Sequence, residues 1–324
     1  MTIAKRLFPF VLAALLLVLA LRNINGAEFL ATLARVEPLW VAAAFVLQVF
    51  SYGMRGWRWS LLLSAQAGAC GPVAIAGELV GYLGNNVLPA RAGEAIRTLM
   101  VSRRLGVGLA FVVGTAATER IGDAVVASLC AFIATWGLPQ VPAWLTGAAS
   151  LFAAAGLGLL LALVFLGPVQ RLVIPLLERL VPRAGGLFRR VSGVLDGVSL
   201  GANALVSHPP RSALYAVLTV LVWAIDITTF TFLANALGQS LAPLQAMLFV
   251  VSLGLSSAIP STPGFVGIFQ FVAVTVLVPF GFTDTSAVAL VVLFQGMTLA
   301  GLMVLGGIAW AFLSPKRKEA VSPR

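Results

Sequence analysis

Five carboxylates sit where a chain this apolar should hold none. Glu78, Glu94, Glu119, Asp123 and Asp226 fall within or beside long uncharged runs, while the remaining acidic residues occupy links, the tail or a basic segment. A charge at the centre of a bilayer costs about 2.5 to 3.5 kcal/mol on insertion scales, so such groups face a protein interior and find partners. Glu119 and Asp123 are four residues apart and share a helix face with Thr115, and Arg120 can reach Asp123 along the same helix. Arg91, Glu94 and Arg97 form a second set. If the helix bearing Glu119 packs against that set, Arg91, Arg97 and Arg120 converge with Glu94, Glu119 and Asp123 in one ionic cluster. Arginine suits such a place because its planar donor fork grips phosphate or carboxylate and stays charged in partly dry surroundings. The same cluster could instead only fix how helices dock. Asp226 and Asn235 are further candidates, and for Asp226 the structural role weighs as much as the functional one.

The elements that position these groups follow from composition. Of 324 residues, 60% are hydrophobic and 10% charged, against about 45 to 50% and about 25% in soluble domains. The chain reads as one all-α, polytopic membrane domain over 1–324. Its formal charge of +10 reports topology. Lys and Arg gather at Lys5 and Arg6, at Arg55 and Arg58, over 91–104, over 168–211 and at 316–318, and the links 137–142, 237–242 and 280–286 carry none. Positive residues accumulate on the cytoplasmic side, so both termini are expected inside a bacterial inner membrane. No nucleic-acid module is visible, and no nucleic-acid partner is expected. Cys70, Cys130 and His208 have no metal or disulfide spacing, so no metal or cofactor is expected. A nucleophile elbow, a Walker loop and a histidine relay are all absent, and the chain does not read as an enzyme.

Leu7–Leu21 reads as a retained first span rather than a cleaved signal, and Leu39–Met54 as a second, closed by a belt of Arg55, Trp57, Arg58 and Trp59. A third runs from near Ala110 to Trp136, a fourth over Trp144–Leu166, and further spans over Ala213–Leu237 and Ala287–Leu313. The segment 168–211 reads as cytoplasmic, its part from Leu187 lying as a helix on the inner leaflet.

Two stretches break this alternation. Segments 71–104 and 244–280 are each apolar for half a span, interrupted, then apolar again. The first breaks over Asn85–Glu94 around Pro89 and Gly93, the second over Ser256–Phe265 around Pro260 and Pro263. A shift of 171 positions lays Pro89 on Pro260 and Gly93 on Gly264. The expected architecture is two inverted halves, 39–136 and 212–313, each with a broken re-entrant hairpin. Interrupted helices at matching places point to a transport site, because irregular backbone survives in a bilayer only when buried or lining a wet cavity. Thr262 followed by Pro263 is expected to cap a half-helix whose free N–H groups and positive dipole end welcome an anion. Gly77 and Gly81, four apart, permit close helix contact within the chain or between copies, so a homo-oligomer stays open.

These motifs also carry a resemblance. The run Gly84–Arg97, with Asn86, Pro89, Arg91, Gly93 and Glu94, and the run Thr118–Asp123 resemble the flippase-like membrane domain of lysylphosphatidylglycerol synthases and its stand-alone relatives. Ile259–Gln270 looks like that family's second signature. The resemblance implies transfer of a phospholipid between leaflets. It points to Asn86, Arg91, Glu94, Arg97, Glu119, Arg120 and Asp123 in the first half, and to Pro260, Thr262, Pro263 and Gly264 in the second. The soluble aminoacyl-transferring domain is absent. The chain also has Phe265, Gln270 and Gln295 where the family usually has glycine, glutamate and, in the last span, arginine, so a lysylated head group does not carry over with it. The expected cargo is an anionic or zwitterionic phospholipid or a lipid-linked glycan, with Gln270, Gln295 and Asp226 as secondary contacts. Alternatives are a secondary transporter of a small polar solute, or a scaffold for lipid- or glycan-synthesis enzymes.

Overall fold

A computed structural model describes residues 3–138, 209–257 and 262–314, with 146, 147, 150, 151, 154–156, 158, 193 and 195–200. Among the described residues there is no strand. The order is α1 (Ile3–Leu21), α2 (Gly26–Ala34), α3 (Pro38–Ala67), α4 (Gly71–Val87), a 3-10 turn (Pro89–Arg91), α5 (Ala92–Leu105) and α6 (Leu109–Gly137). After the less fully described stretch come α7 (Pro209–Ala236), α8 (Pro243–Ser256), a 3-10 turn (Pro263–Phe265), α9 (Ile268–Leu277), a 3-10 turn (Val278–Phe280) and α10 (Asp284–Leu313).

Local chemistry sets the helix starts. Asn25 accepts from the Ala27 N–H, and Thr283 accepts from the Ser286 N–H at 3.1 Å, each satisfying a donor the first turn leaves open. Pro38 and Pro243 stand in first turns, where a missing N–H costs nothing. The segments α6, α7, Pro263–Phe280 and α10 are long and apolar enough to cross a membrane, and α1 with α2, bent by 84°, would together make one more. The bounds of α6, α7 and α10 agree with the expected spans. Most of the fourth span and of 168–211, with Pro260 and the basic stop at 316–318, lies outside the described residues, and the described residues of the fourth span are helical.

Two differences stand out. The link after Leu21 folds into α2. The second span does not end at Met54, because α3 continues for 30 residues to Ala67, about 45 Å at 1.5 Å per residue. Arg55 and Arg58 therefore do not form an inner belt. They lie on a continuous helix whose charged face meets carboxylates on α6 and α7.

The core has two main parts. One gathers Phe230, Leu233, Phe249, Ile268 and Leu290 from α7 to α10, and the other Trp59, Leu62, Leu63, Val80, Val101 and Val112 from α3 to α6. The hairpin of α4 and α5 closes through glycine. A Cβ on Gly77 would stand 2.6 Å from Val101, one on Gly81 2.7 Å from Arg97, and one on Gly84 2.5 Å from the Gly93 Cα. The small-residue stripe is thus used inside the chain. Leu195–Leu200 of the basic segment is helical and packs on α6 through Gly114 and Gly197.

At the first break α4 stops at Val87 and α5 starts at Ala92. At the second, α8 stops at Ser256 and α9 starts only at Ile268. Arg91 (φ 54°) and Phe265 (φ 59°) are the non-glycine residues with left-handed backbone among those described, one in each break. The two 3-10 turns lie against each other, and the second also lies on α4. A Cβ on Gly264 would be 3.7 Å from the Asn86 carbonyl oxygen.

Candidate functional site

The deepest layer of the site is a buried ionic network where α3, α4, α5 and α6 meet. Arg58 and Arg97 are both fully buried. Arg58 donates to Glu119 Oε1 at 2.9 Å and to Asp123 Oδ1 at 2.6 Å. Arg97 pairs with Glu78, with Glu119 Oε2 at 3.2 Å and with Glu94 Oε2 at 2.8 Å. Glu119 therefore bridges the two guanidinium groups. Trp59 completes the layer, with the Arg97 guanidinium 4.6 Å from its ring centroid and its indole N–H donating to Thr115 at 3.2 Å. Paired geometry with further hydrogen bonds is what makes burial of so many charges tolerable.

A second layer faces open space. Arg120, about a third exposed at 35%, binds Glu94 Oε1 at 3.1 Å and Asp123 Oδ2 at 3.5 Å. Arg55 on α3 pairs with Asp226 on α7, and Ser51 donates to the other Asp226 oxygen at 2.9 Å. Glu94, Arg120, Asp123, Arg55 and Asp226 line a cavity of about 480 Å³. The lining also takes in Tyr52, Tyr82, Asn86 and Arg91 and the aromatic side chains of Trp223, Phe230, Phe265, Phe269 and Phe294, with Gln295 and Thr298. The cavity is amphipathic and lies where the two helix breaks meet.

Arg91 departs from the expected cluster. It lines the cavity, but among the described residues no carboxylate lies within ion-pair distance of it. Its backbone is left-handed where it precedes the first turn of α5. Arg97 departs in the opposite sense, buried and fully engaged rather than facing the cavity.

The second break is held by neutral groups. Thr262 does not cap a half-helix. Its hydroxyl donates to the Val266 carbonyl at 2.8 Å, and only a three-residue turn follows it. Left-handed backbone at Gly264, Phe265 and Gly267 stops any helix before Ile268. There Gln270 Oε1 accepts from the Gly267 N–H at 2.8 Å, its Nε2 donates to Gln295 at 2.7 Å, and Gln295 donates to the Gly264 carbonyl at 2.7 Å. Among the described residues no group of three His, Cys, Asp or Glu side chains could hold a metal.

Of the residues singled out from the sequence, Asn86, Arg91, Glu94, Arg120, Asp123, Asp226, Gly264 and Gln295 line the cavity. Glu119 and Arg97 lie behind it, Gln270 supports Gln295, and Pro89 and Pro263 each open a 3-10 turn. Gly93 packs against Gly81 and Asn85 on α4. The sequence reading missed Arg58, Arg55 and Glu78 as members of the site. The signal was a mismatch of charge: five carboxylates stand within or beside apolar runs, the expected cluster paired three of them with three arginines, and Arg55 and Arg58, given to a belt, lie within α3.

A family model described as "Lysylphosphatidylglycerol synthase TM region" matches residues 6–306. The chain is also similar to the "Glycosyltransferase AglD" of Haloferax volcanii, at 27% identity over 346 aligned positions that cover 95% of this chain and 53% of that relative. It therefore spans about half the length of the curated relative it matches.

Proposed function

Because the chain belongs to the family of lysylphosphatidylglycerol synthase transmembrane regions, we propose that it moves a phosphate-bearing lipid or lipid-linked precursor between the leaflets of a prokaryotic cytoplasmic membrane. The observation that carries this reading is the cavity at the meeting of the two breaks, lined both by ionic side chains, with Arg91 unpaired among the described residues, and by aromatic ones. In this reading 39–136 and 212–313 are inverted halves, the hairpins 71–104 and 244–280 enter from opposite faces, and both termini are cytoplasmic. The lipid phosphate meets Arg91. Glu94, Glu119 and Asp123 hold Arg97, Arg120 and Arg58 in place, so that the charged lining keeps its shape as the head group passes. Asn86 and Gly264 line the passage, and the acyl or prenyl tails stay in the bilayer. The chain itself carries out no covalent chemistry.

The test is leaflet accessibility of head-group-labelled lipids in proteoliposomes, with the parent beside Arg91→Ala. Faster exchange of at least one lipid by the parent, lost in the variant, supports the reading. Exchange equal to that of empty vesicles for every lipid of the panel removes it. A second reading is favoured by the relative's name: the domain serves as a membrane partner that presents a lipid to a glycosyltransferase. It predicts retention of such an enzyme in pull-downs and unchanged leaflet exchange. A small polar solute as cargo is less suited to a cavity whose lining includes Trp223, Phe230, Phe265, Phe269 and Phe294.

A further inference from the structure

We propose that the cavity selects a lipid phosphodiester of single negative charge whose head group carries hydroxyls and no amine. This rests on the lipid-moving reading above and names its substrate class. The first ground is which of the lining charges are already paired. Three carboxylates line the cavity, and each is already held: Glu94 by Arg97 and Arg120, Asp123 by Arg58 and Arg120, and Asp226 by Arg55. An entering ammonium would lose its water and find no uncompensated carboxylate among the described residues, the costly case for a buried charge. Arg91 is the opposite case. It lines the same space with no carboxylate within ion-pair distance among the described residues, so it is the lining guanidinium left open to an incoming negative charge. A phosphodiester supplies that charge in a form the guanidinium fork can grip with two hydrogen bonds.

The second ground is independent of charge. The same lining also offers hydrogen-bonding groups that are neutral. Among the described residues, the indole N–H of Trp223 and the hydroxyl of Thr298 have no hydrogen-bond partner, although both side chains are more than nine-tenths buried and line the cavity. Unpaired buried polar atoms are rare because each carries a desolvation penalty. A hydroxylated head group complements both, accepting from the indole and exchanging a bond with the threonine once neighbouring side chains rotate aside. The Phe230 and Phe294 rings beside them suit the apolar face of a sugar or the first carbons of a glycerol. A membrane offers this shared chemistry, a phosphodiester followed by an uncharged hydroxylated group, from two sources: a glycerol-headed phospholipid and a glycosyl polyprenyl phosphate.

The experiment measures lipid retention by the purified full-length chain, using native mass spectrometry after exposure to equal amounts of four probes. These are phosphatidylglycerol, glucosyl polyprenyl phosphate, phosphatidylethanolamine and lysylphosphatidylglycerol. The expected result is retention of at least one of the first two by about tenfold or more over both amine-headed lipids, reduced to parity by Arg91→Ala. Which of the two is retained identifies the source. Thr298→Asp, which adds a carboxylate without a partner, is expected to raise retention of the lysylated lipid. Equal or better retention of an amine-headed lipid by the parent overturns this inference and leaves lipid transfer standing. Retention of no probe by a folded parent overturns the lipid reading itself. Should Arg91→Ala fail to fold, the parent's ranking of the four probes decides alone.

Discussion

Gln295, midway along α10, donates to the carbonyl oxygen of Gly264 at 2.7 Å and so fastens the last long helix to the turn at the second break. The bond continues through Gln270 to the Gly267 N–H. A carbonyl and an N–H that the interrupted helix leaves open are therefore satisfied by two neutral amides, as buried backbone requires. The first break is organised differently, by guanidinium and carboxylate. The two breaks that meet at the cavity are thus held by different chemistry.

Gln270→Ala should loosen the second break without emptying it of structure. It removes the acceptor for the Gly267 N–H and the donor for Gln295. Interhelical hydrogen bonds in membranes average about 0.6 kcal/mol and reach about 1.7 kcal/mol, so a loss on the order of 1 kcal/mol is expected. Thermal unfolding in detergent reads it, and Gln270→Glu should fall between parent and alanine variant because it keeps the acceptor. A midpoint unchanged in the alanine variant would mean that the turn holds its shape unaided.

The two layers of the ionic network should differ sharply in their contribution to stability. Arg58→Ala leaves Glu119 and Asp123 short of a fully buried partner, and breaking a buried pair from one side costs about 3 to 5 kcal/mol. Arg120 is a third exposed, and its partners keep Arg97 and Arg58. Its removal should therefore cost about 1 kcal/mol or less, as for exposed pairs. Denaturant or thermal unfolding of the two variants side by side checks this, and equal losses would contradict the layering.

The long helices α6, α7 and α10 were legible because long, largely apolar runs with few charges admit one explanation in a chain this short of charge. The first break was legible because Pro89 and Gly93 interrupt such a run. The partners of α3 were not. Arg55, Trp57, Arg58 and Trp59 have the composition of an interfacial belt, and only the packing of α6 and α7 on α3 turns Arg58 and Trp59 inward while leaving Trp57 half exposed. Hydropathy along one strand of sequence cannot see a carboxylate supplied from 61 or 171 residues away. The cap expected at Thr262 failed for a related reason: a Thr-Pro start was visible, but the left-handed residues that end the turn three positions later depend on contact with Asn86 and Gln295.

Gly93→Ala should be far more damaging than an ordinary glycine substitution in a helix. The added methyl would stand 2.0 Å from the Gly81 carbonyl oxygen and 2.7 Å from Asn85 Oδ1, and the backbone has no flexible side chain to yield there. The hairpin of α4 and α5 must open to admit it, which would draw Arg97 away from Glu78. Loss of the folded protein in detergent, seen as aggregation on size exclusion, is the expected outcome. As a control, Gly53→Ala on α3 should be tolerated, since nothing lies within 4 Å of its added carbon. A well-behaved Gly93→Ala protein would show that the two helices are not in backbone contact.

Arg91→Gly separates the role of the side chain from that of the fold. Left-handed backbone costs a non-glycine residue about 1 to 2 kcal/mol, and glycine almost nothing. Arg91 adopts φ 54° while making no ion pair among the described residues, so its removal forfeits little. The variant should be as stable as the parent or more stable, with an unfolding midpoint unchanged or raised by a few degrees. Strain kept at a residue that makes no ion pair among the described residues is expected where the residue serves a ligand. Lipid exchange should accordingly fall to the level of empty vesicles in the same preparation that shows the undiminished midpoint. A variant that melts well below the parent would place Arg91 in the structural network instead, and one that is stable and fully active would remove the guanidinium from the transport path.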